Sequence, residues 1–273
     1  MLPPEVVYDL ASILQLSDKA FIIGGQALNL WAERYSEVAE LAYYGPYTSK
    51  DLDYFGYREA AEKLADALGG TVRIPKGDDH TPQTAIVTAT LRGETVEIDF
   101  LYNVKGVKSD SLQKQAVQLV LTVRLGDGVG QLLVPIMHPL HCLQSRLSNV
   151  VDLKRNTDLA KRQLEASSVV LSEYLSERLD DGGAKHVTGV LQSLHQYLLT
   201  DITGRKAHHH MRNDPLRILE RFVDDGRLDE RWRRITLTAM CDKIRSRRTA
   251  WGAMVGRVKD AMQKHGRGVG QVS

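Results

Sequence analysis

The spacing of apolar residues changes its period at Pro139, and no other feature constrains the fold of this chain as strongly. Before Pro139, short runs rich in β-branched residues are separated by breaks: Ala20-Phe21-Ile22-Ile23 closed by Gly24-Gly25, then Asp51–Phe55, Thr84–Leu91, Thr95–Tyr102, Val117–Arg124 and Gln131–Pro135. Strand side chains alternate between faces, and runs of this length and composition predict strands. Arg92-Gly93-Glu94 predicts a hairpin turn between the third and fourth of them. From Leu140 onward the apolar residues recur at helical spacing, with breaks at Asp181-Gly182-Gly183, Thr203-Gly204 and Asp225-Gly226. The expected architecture is α/β (α+β), with a mixed sheet in residues 1–136 and a helical bundle in 137–273. Helices are expected in the first part over 4–16, from Gln26 to about Tyr35 and from Tyr57 to Leu68, the last capped by Gly69-Gly70. Residues 36–48, with Gly45-Pro46, read as irregular.

A chain of 273 residues fits one large or two modest domains. It has no run of about 18 apolar residues, so no membrane span is expected. Its N-terminus lacks the basic segment and apolar core of a secretory signal, and a cytoplasmic protein is expected. Cys142 and Cys241 have no metal-ligand spacing and read as two reduced, packed thiols.

A net charge of +2 conceals an asymmetry: residues 201–273 carry 17 Lys or Arg against 9 Asp or Glu, and the preceding 200 residues carry 19 against 25. That pattern suggests a polyanion-facing module joined to a module with other work. The alternative is a helical bundle whose arginines pair with acids along its own faces. Three histidines, His208 to His210, adjoin one another, but neighbouring helical residues point in different directions, so a basic loop or helix end is expected rather than a metal site. His138 and His141 flank Pro139 and read as cap or packing residues.

The residues that carry chemistry are acids placed inside apolar strands. Asp51 and Asp53 lie two apart in Thr-Ser-Lys-Asp-Leu-Asp-Tyr-Phe and so share a strand face, and Asp99 sits in Val-Glu-Ile-Asp-Phe-Leu. Carboxylates gathered on one face repel unless a cation lies between them. An exposed strand edge that solvates both acids is the bland alternative. A triad of carboxylates holding Mg²⁺, two ions in the fullest form, against a nucleoside triphosphate accounts for all three. Gly24-Gly25 running into a helix lets backbone N–H groups approach phosphate oxygens. Ser49 shares the face of Asp51, whereas Lys50 points away, so Ser49 is the expected phosphate contact. Glu97 shares the face of Asp99, as a fourth acid or an edge residue; Tyr54 and Tyr102 are base-stacking or packing residues.

Together, the Gly-Gly pair, the Ser/Thr-x-Asp-x-Asp strand and the later apolar-Asp-apolar strand resemble the nucleotidyltransferase superfamily related to DNA polymerase beta. More narrowly, Phe21-Ile22-Ile23-Gly24-Gly25-Gln26-Ala27-Leu28 with Thr48-Ser49-Lys50-Asp51-Leu52-Asp53 is similar to the AbiEii-type toxin nucleotidyltransferases. The resemblance covers residues 20–150; beyond it only helical character is shared. It implies Asp51, Asp53 and Asp99 as catalytic and metal-binding, with Gly24, Gly25, Ser49 and Arg146 on the nucleotide. It further implies transfer of a nucleoside monophosphate from an NTP to a hydroxyl acceptor, an RNA (tRNA) 3′ end above all, by a toxin or phage-defence effector with a cognate antitoxin. Two features depart from the pattern: the gap between Gly25 and Asp51 is long, and Arg146 followed by Lys154-Arg155-Asn156-Thr157-Asp158 stands where the toxins carry a Lys and an Arg-rich Lys-Asp stretch, so a surface arginine on an amphipathic helix is the alternative for Arg146. A small-molecule or protein acceptor, and an idle member that binds nucleic acid, remain alternatives.

Overall fold

The computed structural model describes residues 4–45, 52–76, 79, 81–125, 128–249, 254 and 257. The protein is mixed α/β, a seven-stranded sheet followed by helices, and it divides into two compact units, Met1–Glu173 and Tyr174–Ser273.

In the first unit, α1 (Pro4–Ala11) is shorter than the helix expected over 4–16. The Ser12 hydroxyl donates to Asp9 O and Ile13 N bonds Leu10 O, tightening the last turn so that the helix ends there. A 3₁₀ turn, Leu16–Asp18, leads into β1 (Phe21–Ile23) and α2 (Gly24–Arg34). The stretch expected to be irregular contains α3 (Ala39–Tyr44), which buries Leu41 and Tyr44 and stops at Gly45. Then come β2 (Leu52–Phe55), α4 (Arg58–Leu68) with the expected left-handed cap at Gly69, and β3 (Thr71–Arg73). The expected hairpin forms from β4 (Gln83–Leu91) and β5 (Glu94–Leu101). A short α5 (Ser109–Lys114) precedes a second hairpin, β6 (Val117–Leu125) with β7 (Gly128–Ile136). Neither β3 nor α5 was expected; three and six residues are too few to show a period.

The strand order is β3-β4-β5-β2-β1-β7-β6. Pairing is parallel for β2 with β5 and β1 with β7, and antiparallel elsewhere. Central position explains composition: β1 is buried on both faces, so Phe21, Ile22 and Ile23 read as a continuous apolar run. Phe21 stacks on Phe55 at 4.8 Å and Tyr54 on Phe100 at 5.3 Å. The buried Tyr54 hydroxyl donates to Leu10 O, which makes Tyr54 a packing residue and removes it from any base-stacking role.

After β7 the chain enters α6 (Pro139–Val151), where the His138 ring accepts from Leu140 N as the expected cap, and α7 (Asp158–Asp180). Met137 joins sheet to helices: its N–H donates to Ile22 O, and its carbonyl accepts from the buried Trp31 indole at 2.9 Å.

The second unit holds the end of α7, α8 (Ala184–Thr200), α9 (Ala207–His210), α10 (Leu216–Arg221), a π-helical turn, Trp232–Leu237, and α11 (Thr238–Arg248). Both cysteines are buried free thiols, as expected. Among the described residues no helix is long and apolar enough to cross a membrane.

Trp31→Phe keeps the ring packing but leaves the buried Met137 carbonyl without its indole donor. Denaturant unfolding should show a loss of about 1–3 kcal/mol; an unchanged midpoint would mean that this bond does not tie α2 to the α6 entrance.

Candidate active site

The register of three central strands builds the site. Ile23 of β1 pairs with Asp53 of β2, and Asp53 pairs with Asp99 of β5. Paired residues project to one face, so the two carboxylates are cross-strand neighbours beside the end of β1. Both are half-buried, whereas Leu52, Tyr54, Ile98 and Phe100 on the opposite face are fully buried.

The β1-to-α2 turn touches Asp53 directly. Gly24 has φ +71°, and a Cβ there would lie 2.6 Å from Asp53 Oδ2. Both strain and space therefore demand glycine at 24, and the carboxylate rests against the first residue of α2. Gly25, the other half of the pair, is half-buried in the same first turn.

Gln83 holds the second acid, its Nε2 donating to Asp99 Oδ1 at 2.7 Å. It does so from a shift in the β4–β5 register between Gln83 and Ala85, where Thr84 Oγ1 donates to Gly56 O. Sequence reasoning missed Gln83, because only that irregularity carries it toward Asp99.

Arg146 comes from α6. Its half-buried guanidinium donates to Gln163 Oε1 at 3.1 Å, and Nε is buried without a hydrogen-bond partner. Burial holds its pKa below the ordinary arginine value; the nearby Cys142 side chain and the Asp53 carboxylate pull it back up, and Arg155 adds to the lowering. Asp53 and Arg146 thus lie within reach of each other's charge, although 93 positions separate them in the chain.

Asp51, Ser49 and Lys50 lie outside the described residues. Glu97 is exposed on the face of Asp99, and Tyr102 is exposed. Among the described residues no group of three His, Cys, Asp or Glu is gathered for a metal ion, so Asp53 and Asp99 are the carboxylates that the strand register brings side by side. Two hard oxygen donors suit magnesium, which fills its remaining positions with water and phosphate.

In the second unit the alternative account of the basic residues holds for several arginines. Arg245 pairs with Glu220 at 2.7 Å and Asp242 at 2.8 Å, and Arg248 grips Asp214 with both ends of its guanidinium. Arg234 pairs with Glu230, and Arg227 with Asp225 and Asp180. Arg217, Arg231 and Lys243 are exposed, with no ion pair among the described residues.

A double-mutant cycle isolates the contact at the turn. Gly24→Ala should cost about 1–2 kcal/mol for its positive φ alone, plus the displacement of Asp53. In an Asp53→Ala background only the backbone cost should remain. Equal losses in both backgrounds would show that the carboxylate does not rest on Gly24.

No protein-family model, curated protein or solved structure matches this chain.

Proposed function

We propose that the protein is a Mg²⁺-dependent nucleotidyltransferase that moves a nucleoside monophosphate from an NTP to a hydroxyl acceptor. The carrying observation is the pair Asp53–Asp99 on adjacent parallel strands, with the start of α2 against Asp53. Magnesium, when bound by these acids and by Asp51, supplies counter-charge to the triphosphate and polarises the attacking hydroxyl. The chain's own groups divide the remaining work. Free N–H groups in the first turn of α2 take phosphate oxygens, with the helix dipole favouring negative charge. Arg146 adds a cation near the same carboxylate, and its planar guanidinium suits phosphate better than a point charge does. Gln83 fixes the rotation of the Asp99 carboxylate, which takes the acceptor's proton as the new bond to the α-phosphorus forms and the bond to pyrophosphate breaks.

The acceptor in this reading is an RNA 3′ end, that of tRNA above all, and the physiological role is that of a toxin restrained by a cognate antitoxin. The basic balance after residue 200 and the exposed Arg217, Arg231 and Lys243 support the RNA acceptor, while the tRNA end, the toxin role and the antitoxin rest on the resemblance of residues 20–150 alone. A small-molecule acceptor has no use for that charge.

Purified protein incubated with Mg²⁺, each labelled NTP and total RNA tests the chemistry. Asp53→Asn and Asp99→Asn should each reduce transfer by about 10²–10⁴-fold with the fold intact. An Asp53→Asn protein working at the wild-type rate overturns the proposal.

The acceptor is tested separately by the salt dependence of tRNA binding. Replacing Arg217, Arg231 and Lys243 together by Gln should flatten the slope of log affinity against log salt by roughly 2–3 units, at about 0.7–0.9 per phosphate contact. An unchanged slope places RNA elsewhere or removes it from the reaction.

A further inference from the structure

Arg146 is held unlike the paired arginines of the chain. Arg58 and Arg92 in the first unit, and Arg227, Arg234, Arg245 and Arg248 in the second, each bind a carboxylate. The partner of Arg146 is neutral: Gln163 of α7 accepts from its Nη1 through Oε1 at 3.1 Å. Among the described residues no ion pair engages Arg146, and its Nε is buried without a partner.

A buried amide costs free energy unless it is hydrogen-bonded. Gln163 is 8% exposed and opens a stretch, 163–172, in which every residue is buried. A leucine would pack there without that cost, so the polar residue at 163 is tied to what it does for Arg146. A carboxylate at that place would grip the guanidinium more strongly, since both partners would be charged. It would also cancel the positive charge. The amide fixes the guanidinium and leaves its charge whole.

The surrounding charges show why fixing it matters. Among the groups that Arg146 feels, Arg155 has the same sign and Asp53 the opposite one. The carboxylate that pulls on Arg146 is therefore the one that a metal ion would need. An arginine free to swing would close onto Asp53, and each would cancel the other, leaving neither a metal ligand nor a cation for phosphate. Gln163 stands on α7, whereas Arg146 is on α6 and Asp53 on β2, so its hold opposes that closure from a third element.

We propose that Gln163 is a positioning residue of the carboxylate site, holding Arg146 apart from Asp53 so that its charge stays available to a polyphosphate. The proposal rests on the reading of that site as one for magnesium and a nucleoside triphosphate.

Calorimetric titration of the full chain with inorganic tripolyphosphate in the presence of Mg²⁺ tests it, with thermal unfolding to establish that each variant is folded. Gln163→Met keeps the length of the side chain and removes the acceptor. It should weaken binding about tenfold, the worth of one charge-assisted hydrogen bond. Arg146→Gln should weaken binding at least as much, and in that background Gln163→Met should have no further effect. Gln163→Glu should bind no better than Gln163→Met, because it grips Arg146 but cancels its charge. Wild-type affinity in Gln163→Met or in Gln163→Glu overturns the proposal, as does a wild type that does not bind. Equal weakening by Gln163→Met in both backgrounds also overturns it, since a packing role independent of Arg146 would give that result. The expected pattern in a chain that transfers no nucleotide from any NTP would uphold the positioning role and remove the proposed reaction, so the two fail separately.

Discussion

Two carboxylates stand side by side on paired parallel strands in the middle of the sheet, and Gly24, Gln83 and Arg146 are arranged around them. At the roughly 5 Å between side chains on paired strands, two full charges repel by about 3 kcal/mol at an effective dielectric of about 20. A fold that keeps such a pair needs compensating groups or a cation. The compensation in the chain includes groups from different directions, among them the Gln83 amide on Asp99 and the Arg146 charge felt by Asp53. In the proposed reading, a divalent cation with a polyanionic substrate would supply further counter-charge to the pair.

The remaining architecture positions those groups. α2 must begin at Gly24 with a positive φ because Asp53 fills the space a side chain would take. α6 carries the Arg146 charge that Asp53 feels, and its entrance is tied down by Met137, bonded to Ile22 on one side and Trp31 on the other. The same helix carries His141 against Ser111 and meets the Gly106 turn.

Which of these features the sequence discloses follows from the range of the forces involved. Strands such as Val117–Leu125 and the hairpin of β4 with β5 are legible because alternation over eight or nine residues is set locally. The three residues of β3 and the six each of α3 and α5 hold too little period to be read, and their existence depends on the neighbours they pack against. The early end of α1 was hidden because Ile13 and Leu14 continue the apolar spacing although the backbone has already turned at Ser12. At the site, Asp53 and Asp99 are legible as acids misplaced in apolar runs, but their pairing is a fact of strand order. Gln83 is illegible for a sharper reason: the irregularity between Gln83 and Ala85 is a property of two strands together.

The charge of the second unit shows a different limit. Counting 17 basic against 9 acidic residues after position 200 suggested a polyanion-facing module, yet Arg245 and Arg248 are engaged by acids of the bundle. Ion pairing does not dissolve the asymmetry, since the nine acids are already subtracted in the net charge of +8. Each pair hides one cation and one anion, and the surplus remains on others, of which Arg217, Arg231 and Lys243 are exposed. The long-range field that would draw a polyanion depends on that surplus, whereas the contacts that would hold it depend on which cations are left exposed. Composition therefore speaks to attraction, and only the fold speaks to the contact surface.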